Sequence, residues 1–211
     1  MANLQNLYDA ILGGNLNQAV LTTNEAIEEG NIKPQEIINN YMVKAMEEIG
    51  ARFEAGKAFV PNLLMSARAM KGSLDLLKPL LKIGDAKPMG KIVIGTVKGD
   101  LHDIGKNLVA SMFEGCGFEV INLGVDVSGE KFVEAIKEHN PNIICMSALL
   151  TTTMSYMKEV INALEVAGVR NKVKIMIGGA PVSQDFADKI GADGYSDNAN
   201  AAVAMARVLV A

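Results

Sequence analysis

The sequence is poor in the residues that disulfides and metal clusters use. Its 211 residues include two cysteines, two histidines and no tryptophan. Cys116 and Cys145 are too few for a disulfide framework or a zinc site. The simplest location for such a chain is the cytoplasm, where thiols stay reduced.

The sequence also lacks a basic cluster and a long apolar run. Lys and Arg number 20 against 24 Asp and Glu, which gives a net charge of -4. Nucleic-acid phosphates call for a concentrated positive surface, so we predict no nucleic-acid partner. No stretch approaches the ~20 apolar residues of a membrane span, and the N-terminus lacks the pattern of a signal peptide. We therefore predict no membrane association.

What the chain does have is abundant apolar sequence, 49% of its residues, and its first 82 residues read as four amphipathic helices. Pro34 and Pro61 suit the first turns of the third and fourth helices. Apolar residues of the third helix recur three to four apart and so share one face. These residues are Ile37, Ile38, Met42, Met46 and Ile49. We predict a four-helix bundle over residues 1–82.

The remaining sequence follows a different pattern. Residues 83–90, IGDAKPMG, contain two glycines and a proline and are predicted to form a linker. Over residues 91–211, short β-branched runs alternate with helical segments, which implies a parallel sheet covered on both faces. We predict an α/β domain with a flavodoxin-like, doubly wound sheet of five parallel strands in the order 2-1-3-4-5.

One of the two histidines lies in the loop after the first predicted strand. In this strand order, ligands bind at the carboxyl ends of the first and third strands. The loop GDLHDIG, residues 99–105, is therefore expected to meet the polar segment 147–153 and the glycine pair Gly178–Gly179. Glycines leave room for a ligand against the backbone.

The pairing of His102 with Asp100 indicates a metal ligand. A carboxylate can accept the proton of one ring nitrogen and leave the other nitrogen as an oriented, more basic ligand. The other histidine, His139, lies near a helix end and reads as solvated. A metal at His102 would therefore take its other ligands from a cofactor, and a tetrapyrrole-like ring fits that requirement.

Two alternatives start from the same loop. A His–Asp pair could activate Ser147 or Cys145, but no G-x-S-x-G elbow is present and Cys145 is expected to be buried in its strand. A dinucleotide could bind, but the loop lacks G-x-G-x-x-G spacing and carries acid where the pyrophosphate would lie.

Three motifs in order resemble the signature of cobalamin-binding domains. They are Asp100-x-His102-x-x-Gly105, Ser147-x-Leu149 and Gly178-Gly179. The segment 50–71, GARFEAGKAFVPNLLMSARAMK, is similar to the helical cap of methionine synthase and of small corrinoid proteins. Together they cover nearly the whole chain, as in stand-alone corrinoid methyl carriers.

The resemblance implies a role for each matching residue. His102 would be the lower axial ligand of cobalt, with Asp100 and the Thr153 hydroxyl completing a relay, although methionine synthase has serine at the Thr153 position. Asn39 falls where that relative has glutamate, so no contact is carried over to it. The implied cofactor-binding residues are Gly99, Asp100, Leu101, His102, Asp103, Ile104, Gly105, Ser147, Leu149, Thr151, Gly178, Gly179, Ala199 and, in the cap, Phe53 and Val60.

The implied function is methyl transfer in one-carbon metabolism. The protein would bind cobalamin base-off/His-on and cycle between cob(I)alamin and methylcobalamin. Its partners would be a substrate-side methyltransferase and a second methyltransferase acting on tetrahydrofolate or a thiol coenzyme. Methanol, methylamines, betaines and aryl methyl ethers are all possible donors. The alternatives are a cobalamin-dependent sensor or regulator of the same fold and a subunit of a radical mutase.

Overall fold

A computed structural model describes residues 3–81 and 89–211 of the chain. The predicted linker lies outside the described residues except for Met89 and Gly90. The chain divides into two compact units, Met1–Pro88 with Ser111–Gly117 and Met89–Ala110 with Phe118–Ala211. The domain boundaries expected from the sequence stay a prediction.

The first unit is helical. Its elements are α1 (Leu4–Leu12), α2 (Leu16–Glu29), α3 (Pro34–Ile37), a π-helical segment (Ile38–Met42), α4 (Val43–Glu54), α5 (Val60–Leu77) and a 3₁₀ turn (Lys78–Leu80). The third helix expected from the sequence is therefore divided by a π-helical segment, in which each hydrogen bond spans one residue more than in an α-helix. Pro34 occupies the first turn of α3, as predicted.

The apolar face predicted for the third helix is confirmed. Its five residues, Ile37, Ile38, Met42, Met46 and Ile49, are all buried. The insertion of a π turn rotates the following residues by part of a turn, and the apolar positions on both sides of it still reach the core.

The second unit is the predicted α/β domain. Its elements are β1 (Lys91–Thr96), α6 (Ile104–Gly115), β2 (Glu119–Asn122), α7 (Gly129–His139), β3 (Ile143–Ser147), α8 (Ser155–Val166), a 3₁₀ turn (Arg170–Lys172), β4 (Lys174–Gly178), α9 (Gln184–Ile190), β5 (Gly194–Tyr195) and α10 (Ala199–Val210). The last residues of α6, from Ser111, group with the first unit. All strand pairs are parallel and the order is β2-β1-β3-β4-β5, which confirms the predicted topology. Among the described residues, no helix is long and apolar enough to cross a membrane.

The strand register aligns the ends of the three central strands. Thr96 of β1 pairs with Ser147 of β3, and Ser147 pairs with Gly178 of β4. The loops that follow these strands therefore leave the sheet at one edge. The central strands are almost wholly buried, as expected for a parallel sheet covered on both faces.

Helix α8 begins later than the sequence indicates. The sequence favours a helix from Thr152, but α8 starts at Ser155 and the preceding residues form turns. The backbone N–H groups of Thr153 and Met154 donate to the carbonyl of Leu150. This turn directs the Thr153 side chain to the histidine loop instead of along a helix.

Candidate functional site

The loop that carries His102 begins with a tight turn. The backbone N–H of Asp100 donates to the carbonyl of Val97 at 3.1 Å, and Gly99 has a φ of +79°. That left-handed conformation favours glycine at the third position of the turn. At the other end of the loop, the buried Thr96 hydroxyl donates to the carbonyl of His102 at 2.9 Å. The loop is thus held to the end of β1.

The carboxylate of Asp100 is fully buried and is the centre of a hydrogen-bond network. Its Oδ1 accepts from the backbone N–H of His102 at 3.0 Å and lies 2.8 Å from the ring Nδ1. Its Oδ2 accepts from the Leu149 backbone N–H and from the Thr153 hydroxyl, each at 2.7 Å, with a longer contact to Leu150 N. Nearly every lone pair of the carboxylate therefore has a donor.

These donors determine the ionisation of Asp100. Burial raises the pKa of the carboxyl, but the hydrogen bonds from Leu149, His102 and Thr153 outweigh burial and hold the pKa well below its ordinary value. The carboxylate is therefore ionised at neutral pH. The Thr153 oxygen also lies 2.9 Å from the Leu150 carbonyl, but its single proton serves the charged acceptor, which is stronger.

An anionic Asp100 determines which nitrogen of His102 carries the proton. Nδ1 lies against Oδ1 and so donates, and in the neutral imidazole this places the lone pair on Nε2. The His102 side chain is 51% exposed, so Nε2 is accessible. Among residues 3–81 and 89–211, no cluster of three or more His, Cys, Asp or Glu side chains could hold a metal ion. His102 thus offers a single, oriented donor.

The two loops that supply the hydrogen-bond network also expose four apolar side chains. Leu101 and Ile104 are 71% and 87% exposed, and Leu149 and Leu150 are also exposed. Exposure of four apolar side chains to water is energetically unfavourable. Exposed apolar surface of this kind commonly marks a binding site. These four side chains, called the apolar rim below, offer hydrocarbon surface that a broad, largely apolar ring could cover.

The three motifs predicted from the sequence come together in the α/β unit. Asp100 hydrogen-bonds to Leu149 and Thr153, and Ser147 is paired with Gly178. A Cβ on Gly105 would meet nothing within 4 Å, so the backbone at the start of α6 is open to a ligand. The exposed Asp103 accepts a hydrogen bond from the Asn107 side chain.

Gly179 has a structural reason to be glycine. Its φ is +134°, and a Cβ there would lie 1.9 Å from the carbonyl oxygen of Ala148. Any other residue would therefore force the ends of β3 and β4 apart. The sequence analysis attributed this glycine to room for a ligand, and the close approach of the two backbones is a further cause.

The remaining predicted residues lie outside the loop that carries His102. Thr151 is exposed in the turn before Thr153, and Ala199 is buried at the first residue of α10, after the edge strand β5. Phe53 is half-buried and Val60 is exposed, and both belong to the helical unit. The cofactor contacts expected of these four residues stay predictions.

Sequence reasoning missed two residues of the site. Thr96 reads as an ordinary β-branched strand residue, and only the fold reveals that its hydroxyl holds the His102 carbonyl. Leu150 contributes an exposed side chain to the apolar rim and a backbone N–H facing Asp100. Its position next to Leu149 was the one available signal.

A doubly wound sheet that presents a carboxylate-bound imidazole at its switch point defines a cofactor-binding domain. The comparisons specify the cofactor: a family profile described as B12 binding domain matches residues 90–204, and a second B12 binding domain profile matches residues 4–78. The chain belongs to the B12-binding family of corrinoid proteins, and its cofactor is a corrinoid.

Individual relatives cover almost the whole chain. A dimethylamine corrinoid protein of Methanosarcina barkeri is 46% identical over 209 residues, which are 99% of this chain and 97% of that protein. A cobalamin-binding protein from Desulfitobacterium hafniense DCB-2 has a TM-score of 0.84 at 32% identity, with 99% of each chain covered. The methanol:cobalamin methyltransferase complex MtaBC from Methanosarcina barkeri also has a TM-score of 0.84, at 31% identity, with 98% of this chain and 79% of that chain covered.

The residues of the site fit a corrinoid. Nδ1 of His102 lies 2.8 Å from the Asp100 carboxylate. In the neutral imidazole this leaves Nε2 with the lone pair that suits cobalt. The exposed apolar rim offers surface for a macrocycle, and the open backbone at Gly105 leaves space beside it. The donor set and the surrounding surface therefore match a cofactor that brings most of its own metal ligands.

Proposed function

We propose that this protein carries a methyl group between two methyltransferases, with its corrinoid bound base-off and His102 as the lower axial ligand of cobalt. The observation that supports this most strongly is the geometry of His102, whose Nδ1 lies 2.8 Å from the buried Asp100 carboxylate while the side chain remains half exposed. A histidine that only stabilised the fold would not need its second nitrogen open to a ligand.

The bound cobalt would supply the chemistry, by accepting a methyl group from one partner and giving it to the next. The chain itself orients the imidazole. Asp100 accepts the Nδ1 proton and makes Nε2 a better donor, and the Thr153 hydroxyl stabilises the carboxylate from its other oxygen. A proton that reached this carboxylate would weaken its hold on the imidazole. The relay therefore couples proton uptake to the strength of the axial bond.

The apolar rim would serve the cofactor in a second way. Leu101, Ile104, Leu149 and Leu150 present hydrocarbon surface beside the imidazole. When a ring covers them, water is excluded from the lower face and the polar network beneath is protected from competing hydrogen bonds. The exposed apolar area becomes buried area, which contributes to cofactor affinity.

The partners follow from the relatives. The dimethylamine corrinoid protein supports a methylamine as methyl donor, since its similarity extends over 99% of this chain. The MtaBC complex supports a substrate-side methyltransferase as a partner. The second methyltransferase, acting on tetrahydrofolate or a thiol coenzyme, completes the carrier cycle.

Both cysteines are free thiols, which favours the cytoplasm as the location of the protein. The corrinoid relatives favour a carrier over a regulator.

The axial-ligand proposal is tested by electron paramagnetic resonance of the cobalt(II) form. Protein produced with ¹⁵N-labelled histidine is expected to show a nitrogen doublet where unlabelled protein shows a triplet, because the bound nitrogen is then that of a histidine. His102→Ala is expected to lose this signal. His139→Ala is the matched control, since it removes the chain's other imidazole, which lies in the last turn of α7.

The outcomes are distinct. A triplet that persists in the labelled protein would mean that the cofactor's own base remains on cobalt, which contradicts the base-off mode. A doublet that persists in His102→Ala and disappears in His139→Ala would make His139, in α7, the cobalt ligand. Either result overturns the proposed role of His102.

A further inference from the structure

Asp126 has a backbone conformation that its surroundings impose. Its φ is +54°, and within the described ranges only Asn140 shares a positive φ among non-glycine residues. Asn140 is the C-cap of α7, a position where left-handed residues are common. Asp126 lies instead in the loop between β2 and α7. Such conformations persist where neighbouring contacts require them and cluster at functional sites.

The contacts of Asp126 go to the histidine loop. Its Oδ1 accepts from the backbone N–H of Gly99 at 2.7 Å, and its own backbone N–H donates to the carbonyl of Asp100 at 3.1 Å. These two bonds lie on either side of the Gly99–Asp100 pair. One aspartate therefore holds the turn that precedes His102 from both ends.

The loop around Asp126 is itself anchored to β1. Gly124 accepts from the backbone N–H of Thr96 at 3.0 Å, and the N–H of Val127 donates to the carbonyl of Thr96 at 2.9 Å. Val127 also forms an isolated parallel bridge with Val97. Pairing with the end of β1 thus resumes at Val127. Asp126 lies in the short unpaired step before it, and from there its side chain contacts the Gly99–Asp100 turn.

We propose that Asp126 is a positioning residue for the cobalt ligand, acting through the Gly99–Asp100 turn. The inference depends on the proposed axial role of His102. Gly99 is exposed and has the wide conformational freedom of glycine, and the turn's own hydrogen bond from Asp100 N–H to Val97 fixes neither the Gly99 N–H nor the Asp100 carbonyl. With its N–H and the Asp100 carbonyl both held by Asp126, the Asp100 carboxylate remains where it meets His102 Nδ1.

Asp126→Gly and Asp126→Asn form the test pair. Both residues tolerate a positive φ, but asparagine keeps a side-chain oxygen for the Gly99 N–H and glycine has none. In cofactor-free protein, Asp126→Gly is expected to speed hydrogen exchange of the Gly99 amide by about tenfold. In corrinoid-loaded protein it is expected to lower the share of cobalt(II) that carries a histidine nitrogen. Asp126→Asn is expected to restore both readouts.

The outcomes separate this inference from the proposed function. If His102→Ala loses the nitrogen signal while Asp126→Gly keeps both readouts at the level of the unmodified protein, the positioning role of Asp126 is wrong and the axial role stands. If Asp126→Asn is as damaging as Asp126→Gly, the side-chain acceptor is not what matters and the inference is also wrong. If His102→Ala keeps the signal, the proposed function fails.

One measurement needs no variant. The Gly99 amide of the unmodified, cofactor-free protein is expected to exchange more slowly than an unbonded amide in an exposed loop, because Asp126 accepts its proton. Exchange at the rate of an unprotected amide would overturn the inference even if Asp126→Gly did not fold.

Discussion

Asp100 is the residue on which the geometry of the site depends most directly. It is fully buried and receives donors from its own loop and from the turn after β3. A buried carboxylate is stable only when such donors are present, and each donor in turn is left unsatisfied if the carboxylate is removed. The network therefore links the position of the imidazole to the packing of two separate segments.

Asp100→Asn is expected to lower the free energy of unfolding by about 2–4 kcal/mol at pH 7. In either orientation, the asparagine amide would point its NH₂ group at existing donors, either the two N–H groups of His102 or the Leu149 N–H and Thr153 hydroxyl. Urea denaturation of cofactor-free protein measures the difference. Asp103→Asn is the matched control, expected to change stability by less than about 0.5 kcal/mol, since Asp103 is exposed.

The pH dependence of this difference has a definite sign. The pKa of Asp100 is lower in the folded protein than in the unfolded chain, so the ionised carboxylate stabilises the fold at neutral pH. This contribution is complete above the ordinary aspartate pKa of about 3.9 and is lost as the pH falls below it. The part of the gap that the Asp100 charge contributes should shrink as the pH falls below about 3.9. A gap that did not shrink in this acid range would contradict the assignment.

At the scale of the element, helix α5 contains two buried serines that should affect the free energy of unfolding in opposite directions. The hydroxyl of Ser66 donates to the carbonyl of Leu12, the last residue of α1, at 3.2 Å. The hydroxyl of Ser73 is equally buried but has no hydrogen-bond partner among the described residues. One serine thus satisfies a helix-end carbonyl that would otherwise lack a donor, while the other leaves a polar atom unsatisfied.

Ser73→Ala is expected to raise the free energy of unfolding by about 1 kcal/mol, because it removes the unsatisfied hydroxyl and introduces the best helix-forming residue. Ser66→Ala, the matched substitution on the same helix, is expected to lower it by about 1–2 kcal/mol because Leu12 loses its donor. Thermal and urea unfolding measure both. Destabilisation of similar size by both variants would mean that Ser73 also has a stabilising partner.

At the scale of the whole molecule, both units correspond to B12 binding domains, and the similarity to the dimethylamine corrinoid protein runs across both. The chain from the methanol:cobalamin methyltransferase complex matches 98% of this chain, with 79% of its own length covered, at a lower identity of 31%. In the proposed carrier role, donor selectivity would depend on the surface where the substrate-side methyltransferase docks and not on the imidazole site.

We expect the corrinoid-loaded protein to receive a labelled methyl group from [¹³C]dimethylamine when a dimethylamine methyltransferase is present, about tenfold or more faster than from [¹³C]methanol with a methanol methyltransferase. Nuclear magnetic resonance of the bound corrinoid measures the transfer. His102→Ala is included as a variant that changes the proposed cobalt ligand and leaves the surface that docks on the methyltransferase unchanged. Faster transfer from methanol would assign this carrier to the other donor class.

The sequence predicted most of the architecture and part of the site. Helical spacing, proline positions and alternating β-branched runs indicated the helical unit and the parallel sheet, because local patterns reflect burial directly. The π-helical segment Ile38–Met42 and the late start of α8 at Ser155 were not predicted, since apolar spacing alone does not distinguish a π-helical or a turn segment from an α-helix. The motif around His102 was recognisable from the spacing of a few residues.

The sequence by itself determined the strand order, the pairing of Asp100 with His102 and the family to which the chain belongs. All three depend on apolar periodicity and on short spacings between residues, which can be read directly from the sequence. Only the tertiary structure decided that Thr96, Asp126 and Leu149 would hold this pair from three different segments. The Gly99–Asp126 bond joins residues 27 apart in the chain, and the Asp100–Leu149 bond joins residues 49 apart. These bonds can form only after the parallel strands have brought their carboxyl ends together.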